Sequence, residues 1–122
     1  MVKGFGLTEK FKLFNEHWQP KIIGEVNDSH VKIVKVLGEF VWHQHEREDE
    51  LFYVVKGTLE IHVRKQEPVV LTEGEMTVIP RGVEHKPVAR EEAWIMTIEP
   101  KSTVNTGDWT DSDKTVANPE WI

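Results

Sequence analysis

The sequence predicts an all-β fold, an antiparallel sandwich or small barrel formed by a single domain over residues 1–122. Short apolar or alternating segments recur at near-regular spacing along the chain. Glycine, proline, asparagine and aspartate separate these segments, and almost no helical period is present. Many short strands with turn signals between them are typical of sandwiches and barrels, and closing the sheet removes its exposed edges.

The first half of the chain begins with a short helical segment. Thr8 is expected to cap a helical turn that carries Leu7, Phe11 and Phe14 on one side, and Pro20 would interrupt any helix there. The segments that follow alternate or are rich in β-branched residues, as strands are. The strands predicted here are Lys21 to Val26, His30 to Leu37, Phe40 to His45 and Leu51 to Val55.

The second half continues the same pattern. Turns are expected at Pro80-Arg81-Gly82 and at Glu91-Glu92, and an irregular tail is expected from Pro100 onward, where Asn, Thr, Gly, Asp and Ser dominate. Trp109, Trp121 and Ile122 are the residues that would hold parts of this tail against the barrel. The strands predicted in this half are Thr58 to Arg64, Val69 to Leu71, Met76 to Ile79, Val83 to Val88 and Ala93 to Ile98.

Composition and charge restrict the classes of function. The 15 basic and 21 acidic residues give a formal net charge of -6, which argues against a nucleic-acid partner. The chain has no cysteine, so disulfides and thiolate metal sites are excluded and any metal must use histidine and carboxylate ligands. No segment has the pattern of a signal peptide or the roughly 20 apolar residues of a membrane span. We therefore expect a cytoplasmic protein without a membrane partner.

The stretch from Gly38 to Gly57 carries the residues best suited to chemistry. His43 and His45 would project to the same face of a strand, because successive side chains alternate. Taken alone, His43 and His45 could be ordinary surface or core histidines, and Glu50 could belong to a solvated acidic loop. Glu50, however, begins an apolar strand, where burying an unpaired charge costs several kcal/mol, so an inward side chain would call for a cation.

Two stretches resemble the paired motifs of the cupin superfamily. From His43 the first motif is complete: His43-Gln44-His45, four residues, Glu50, six residues, Gly57. Gly38 precedes His43 by one residue fewer than the motif has. In the second stretch Gly74, Pro80, Gly82 and His85 match in spacing, and Ala89 stands where the motif has asparagine. The resemblance covers about half of the chain.

The resemblance implies a jelly-roll β-barrel with one divalent transition metal inside it. The ligands carried over are His43, His45, Glu50 and His85, with Asp49 as the alternative carboxylate if the loop register differs. Three imidazoles and one carboxylate suit Mn, Fe, Ni, Co or Zn and leave open coordination positions. The resemblance also implies a homodimer, which an apolar N-terminal segment would support. That segment contains Phe11, Phe14, Trp18, Ile22 and Ile23.

The expected pocket follows from strand parity. If Glu50 points inward, the predicted ligand-pocket residues are Phe52, Val54, Met76, Trp94 and Met96. No Arg or Lys is expected to point inward, which disfavours a phosphosugar isomerase.

The predicted function is a metal-binding protein with a small organic ligand, and metal-dependent enzymatic activity of the dioxygenase, isomerase or decarboxylase type is expected. A non-catalytic small-molecule-binding or sensor protein is the alternative, because fold alone does not decide the reaction. A purely structural barrel, with its histidines satisfied by hydrogen bonds, is the third reading.

Overall fold

The computed structural model describes residues 2–110 and 112–122 and confirms the all-β prediction. One short helix, α1 (Leu7–Phe11), precedes the strands. In chain order the strands are β1 (Lys21–Val26), β2 (Ser29–Glu39), β3 (Glu50–Lys56), β4 (Leu59–Val63), β5 (Val69–Leu71), β6 (Met76–Ile79), β7 (His85–Pro100) and β8 (Glu120–Trp121).

Strand β7 joins the other strands into one jelly-roll sheet. It pairs antiparallel with β2 along its length, with β4 through its first residues and with β3 through its later residues. The remaining ladders are β1 with β2 and β8, β3 with β6, and β4 with β5. These strands place the two sequence motifs against each other, because β7 begins at the histidine of the second motif.

Two predicted strand boundaries were wrong around β7. The expected turn at Glu91-Glu92 does not exist, and the two predicted strands are one strand of 16 residues. Between the pairs Val36↔Ala93 and Gly38↔Ala89, residues 90–92 lie opposite a single residue of β2. This irregularity in the pairing places the charged residues 90–92 on the surface without interrupting the strand. Residues typical of a turn can therefore occur inside β7.

The predicted strand from Phe40 to His45 was also wrong. Regular pairing of β2 ends at Glu39, and the segment that follows forms an isolated β-bridge, between His43 and His85, instead of a continuous ladder. The side chains still alternate as expected: His43 and His45 are buried, whereas Trp42 and Gln44 are partly exposed.

The helix packs on the outer face of the sheet. Its N-cap is Gly6 without a side-chain hydrogen bond, so the prediction that Thr8 caps the helix was wrong. Phe11 is fully buried and stacks on Trp94 with ring centroids 4.8 Å apart. We call this apolar group the outer cluster; its buried members are Phe11, Phe14, Ile23 and Ile33, with Trp94, Met96 and Ile122 partly buried against it.

The second apolar group, the inner cluster, fills the interior of the barrel. It includes Val34, Val36, Phe52, Val54 and Ile95. The two clusters lie on opposite faces of the strands they share: Ile33 of β2 belongs to the outer cluster and Val34 to the inner one. The sheet is therefore covered on both faces in this region.

The tail after Pro100 is irregular, and Trp121 and Ile122 hold its end to the barrel, both as predicted. Its end forms β8, which pairs parallel with β1, and the Ile122 amide donates to the Ile22 carbonyl. Earlier in the tail, the Asp108 amide donates to the Gln44 carbonyl beside the motif histidines. Within the described residues, no helix has the length and apolar character needed to cross a membrane.

Candidate metal centre

The structure brings the four predicted ligands together. Single ligand atoms of His43, His45, Glu50 and His85 all lie within 4.8 Å of one another. All four side chains are buried, with at most 6% of each residue exposed. A cluster of three imidazoles and one carboxylate of this size could hold one first-row transition-metal ion.

Backbone hydrogen bonds fix the positions of the three histidines. The His43 amide donates to the His85 carbonyl at 3.0 Å, and the His85 amide donates to the His43 carbonyl at 2.9 Å. The His45 carbonyl accepts a hydrogen bond from the Gly82 amide at 2.8 Å. The Pro-x-Gly turn of the second motif thus holds the first motif, which explains why residues so far apart in sequence meet.

The ring nitrogens of two histidines are oriented by the same local contact. Nδ1 of His43 donates to the Val41 carbonyl at 2.8 Å, and Nδ1 of His85 donates to the Val83 carbonyl at 2.9 Å. In each case the acceptor lies two residues earlier in the chain. Because Nδ1 carries the proton, Nε2 keeps its lone pair and is available to a metal.

Four buried polar atoms of the cluster have no hydrogen-bond partner. They are both ring nitrogens of His45, Nε2 of His85 and Oε1 of Glu50. Oε1 of Glu50 lies 3.3 Å from Nε2 of His45 and 3.5 Å from Nε2 of His85. Buried polar atoms are almost always satisfied, so the approach of Oε1 of Glu50 to Nε2 of His45 and Nε2 of His85, all three without hydrogen-bond partners, fits a bound cation.

The protonation states suit metal binding. Burial lowers the pKa of His43 to about 4, and the neighbouring His85 adds to the effect, so this imidazole is neutral at pH 7. Burial alone would raise the pKa of Glu50, but contacts with Glu99, His45 and His85 hold it well below its usual value. Neutral imidazoles and an ionised carboxylate are the forms that coordinate a metal.

Asp49, the alternative carboxylate, lies outside the cluster. Its Oδ1 accepts a hydrogen bond from the Arg81 amide at 2.9 Å, and its carboxylate pairs with the Arg81 guanidinium at 3.2 Å. Half of its side chain is exposed. Asp49 therefore braces the Pro80-Arg81-Gly82 turn, and Glu50 is the carboxylate of the centre.

A cavity of about 40 Å³ lies beside the cluster, inside the barrel. Its polar lining consists of His43, Glu50, Thr97, Glu99 and Asn105. Its apolar lining is aromatic and aliphatic and consists of Trp18, Pro20, Val34, Val36, Phe40, Phe52, Pro87 and Ile95.

Only Phe52 among the predicted pocket residues lines this cavity. Val54 is fully buried in the inner cluster, away from the lining. Met76 is 52% exposed, and Trp94 and Met96 pack in the outer cluster, so their assignment to the pocket was wrong. The parity of β7 is the opposite of the expected one, since Ile95, Thr97 and Glu99 face the cavity.

A buried ion pair at the cavity was missed by the sequence analysis. Nζ of Lys32 donates to Oε1 of Glu99 at 3.0 Å, and each side chain is only 2% exposed. The expectation that no Lys points inward was therefore wrong. Burial and the nearby charge of Glu50 raise the pKa of Glu99 well above its usual value, against the opposing effect of Lys32.

Part of the tail covers the centre. Gly107 has φ of +54°, and a Cβ placed there would overlap the Gln44 carbonyl and press on the His43 ring. The Gln44 amide donates to Oδ1 of Asp108 at 2.8 Å. The packing of Gly107 and Asp108 against the first motif could not be predicted, because nothing in a polar, glycine-containing stretch indicates which part of the fold it contacts.

Three comparisons relate this architecture to known proteins. The family model of the cupin domain matches residues 31–105. A cupin-2 domain containing protein from Shewanella frigidimarina has a similar crystal structure, with a TM-score of 0.78 and 56% sequence identity over 80% of this chain and 94% of that chain. The structure of KdgF from Halomonas sp. has a TM-score of 0.59 and 33% identity over 68% of this chain and 80% of that chain.

A curated relative matches a shorter stretch. The uncharacterised protein YdbB of Bacillus subtilis is 41% identical over 64 residues, which are 52% of this chain and 57% of YdbB. The match therefore spans little more than half the length of that relative.

Proposed function

The chain belongs to the family of cupin-domain proteins, and we propose on that premise that it is a metal-dependent enzyme acting on a small organic molecule. One divalent transition metal, of the group Mn, Fe, Ni, Co and Zn, would be held by His43, His45, Glu50 and His85. The observation that carries this proposal is the buried cluster of four side chains, each with one ligand atom within 4.8 Å of the others, in which atoms of His45, Glu50 and His85 have no hydrogen-bond partner.

The chemistry follows from the ligand set and its surroundings. When bound, such a metal supplies a Lewis acid with open coordination positions for an oxygen of the ligand. The protein's own residues orient the imidazoles through Val41 and Val83 and exclude bulk water with an aromatic wall. The cavity of about 40 Å³ restricts the reacting part of the ligand to a few heavy atoms.

Metal content tests the proposal directly. Protein purified without a histidine tag, stripped of metal and then given each of the five metals separately, should hold about one ion per chain by mass spectrometry. His43→Ala combined with His85→Ala should lose this loading because two of four ligands are removed. Circular dichroism would check that the double variant keeps its sheet content.

His62→Ala is the matched control. His62 lies on β4, is partly exposed and contacts Glu60 at 3.1 Å, away from the centre. This variant should load metal as the natural protein does. Less than about a tenth of an ion per chain for every metal offered would contradict the proposal.

The reaction class would be distinguished by product analysis of the loaded protein. Dioxygen consumption would indicate a dioxygenase, and isomer formation or carbon dioxide release would indicate an isomerase or a decarboxylase. Ligand binding without turnover would instead support the non-catalytic alternative.

A further inference from the structure

Glu99 is the polar group of the cavity that the metal centre does not use. His43 and Glu50 are candidate ligands, and the Asn105 side-chain amide already donates to the Lys114 carbonyl and accepts from the Val116 backbone amide, both at 2.8 Å. Oε1 of Glu99 accepts from Lys32, whereas Oε2 is buried and receives no hydrogen bond from a donor group; the Glu99 carboxyl also contacts the Glu50 carboxyl. Glu99 is 3% exposed.

The Lys32–Glu99 pair is costly to bury for stability alone. Desolvating two charges is often not repaid by their attraction, and apolar residues of similar volume are frequently as stable. Thr97 precedes Glu99 by two residues on the same face of β7 and also lines the cavity. Glu99 and this hydroxyl give the cavity polar groups beside the candidate ligands, in a lining that is otherwise largely aromatic and aliphatic.

We propose that Glu99, held in place by Lys32, selects a ligand that carries an uncharged hydroxyl group next to the oxygen bound by the metal. This deepens and rests on the proposed function, because it names the ligand class of the same site. A hydroxyl group fits the free oxygen of Glu99 whether or not the carboxyl is protonated, because a hydroxyl both donates and accepts hydrogen bonds.

The dimensions of the cavity narrow the ligand further. One water-sized group needs about 10 to 15 Å³, so about 40 Å³ accommodates roughly three such groups. The predicted ligand class is therefore a small α-hydroxycarbonyl compound or vicinal diol, or a larger molecule that inserts such an end. A carboxylate at the hydroxyl position is disfavoured by Glu50 and Glu99.

The test compares two probes of equal size on cobalt-loaded protein. Hydroxyacetone and butanone each have five heavy atoms and one carbonyl, and they differ by a hydroxyl in place of a methyl group. Their dissociation constants are measured through the visible absorption of cobalt. The natural protein should bind hydroxyacetone about fivefold more tightly or better, as expected for one additional hydrogen bond of about 1 kcal/mol.

Hydroxyacetone could also bind cobalt through both of its oxygens, so the decisive comparison is with variants. Lys32→Met with Glu99→Leu removes the pair at similar volume, and the preference for hydroxyacetone should fall below about twofold. If this variant does not fold, Lys32→Met with Glu99→Met is used: it also removes both polar groups at similar volume, and the preference should likewise fall below about twofold. Glu25→Gln, which alters an exposed pair with Lys101 at 3.0 Å, is the control and should change nothing.

The outcomes separate this inference from the proposed function. Failure of the natural protein to take up cobalt would overturn the proposed function. Normal cobalt uptake without measurable hydroxyacetone binding, or an unchanged preference in the folded variant, would overturn the role of Glu99. A variant that loses cobalt affinity but keeps the preference would make Glu99 a positioning residue for Glu50 and would likewise overturn the inference.

Discussion

Gly57 directly follows β3 of the barrel, and its neighbours leave little room for a Cβ atom. Its φ is +87°, and a Cβ placed on it would lie 3.1 Å from the Glu92 carbonyl oxygen and 3.2 Å from the Cα of Ala93. Gly74, the first glycine of the second motif, has φ of +85° but nothing within 4 Å of the same position. A substitution at Gly74 therefore introduces backbone strain alone, whereas a substitution at Gly57 introduces both backbone strain and steric contact.

We predict that Gly57→Ala lowers the free energy of unfolding more than Gly74→Ala does. Gly74→Ala should cost about 1 to 2 kcal/mol, since only the left-handed backbone is strained. Gly57→Ala should cost about 2 to 4 kcal/mol, because backbone atoms of β7 must also shift. Urea unfolding followed by circular dichroism measures both, and equal costs would contradict the close packing of β3 against β7.

At this scale the candidate ligands were predictable and their neighbours were not. The two motifs have fixed residue spacings that can be recognised without knowledge of the fold, and these spacings identify His43, His45, Glu50 and His85. Lys32 and Glu99 are 67 residues apart and carry no spacing signal. Their contact depends on the register of β2 against β7, where Lys32 pairs with Thr97.

Strand β7 shows why the pocket was assigned to the wrong face. Trp94 and Met96 form the more apolar face of the strand, and apolar residues were expected to point inward. The structure covers that face with α1 and the segment that follows it, whereas the face of Ile95, Thr97 and Glu99 lines the cavity. When both faces of a strand are covered, alternation gives the period but not the direction.

The two faces lead to a prediction about Phe11. Phe11→Ala should lower the free energy of unfolding by about 3 to 5 kcal/mol, because it removes the fully buried ring that stacks on Trp94. Metal content should stay at about one ion per chain, because the outer cluster lies on the other side of the sheet from the centre. Urea unfolding and mass spectrometry measure the two quantities.

Phe5→Ala is the control for the helical segment. Phe5 is 54% exposed, so its removal should change the free energy of unfolding by no more than about 0.5 kcal/mol. Loss of metal in folded Phe11→Ala protein would show that the outer cluster supports the centre after all.

For the whole molecule, the homodimer expected from the family resemblance stays a prediction. The apolar N-terminal residues offered as its interface are buried within their own chain: Phe11, Phe14, Trp18, Ile22 and Ile23 are at most 8% exposed. Light scattering during gel filtration should give twice the chain mass of 14.2 kDa, which is 28.4 kDa. A mass of 14.2 kDa at micromolar concentration would contradict the dimer.

The all-β fold class of the whole chain could be predicted from the sequence, but the long-range contacts that complete the barrel could not. Turn residues and alternation located most strands, because these signals act over a few residues. The partners of the tail could not be predicted, because its contacts, such as Asp108 with Gln44 and β8 with β1, join residues more than 60 positions apart. Contacts of this kind depend on the completed barrel rather than on local sequence.

The position of β7 has a consequence for synthesis on the ribosome. Before residues 85–100 emerge, the described strands can form only separate hairpins and ladders, β1 with β2, β4 with β5, and β3 with β6. Each of these exposes an open edge and an uncovered apolar face, which are the features that trap nascent chains in aggregates. The earlier strands therefore stay exposed to aggregation until β7 can pair with them, and a pause in synthesis that keeps residues 85–100 from emerging would lower the soluble yield.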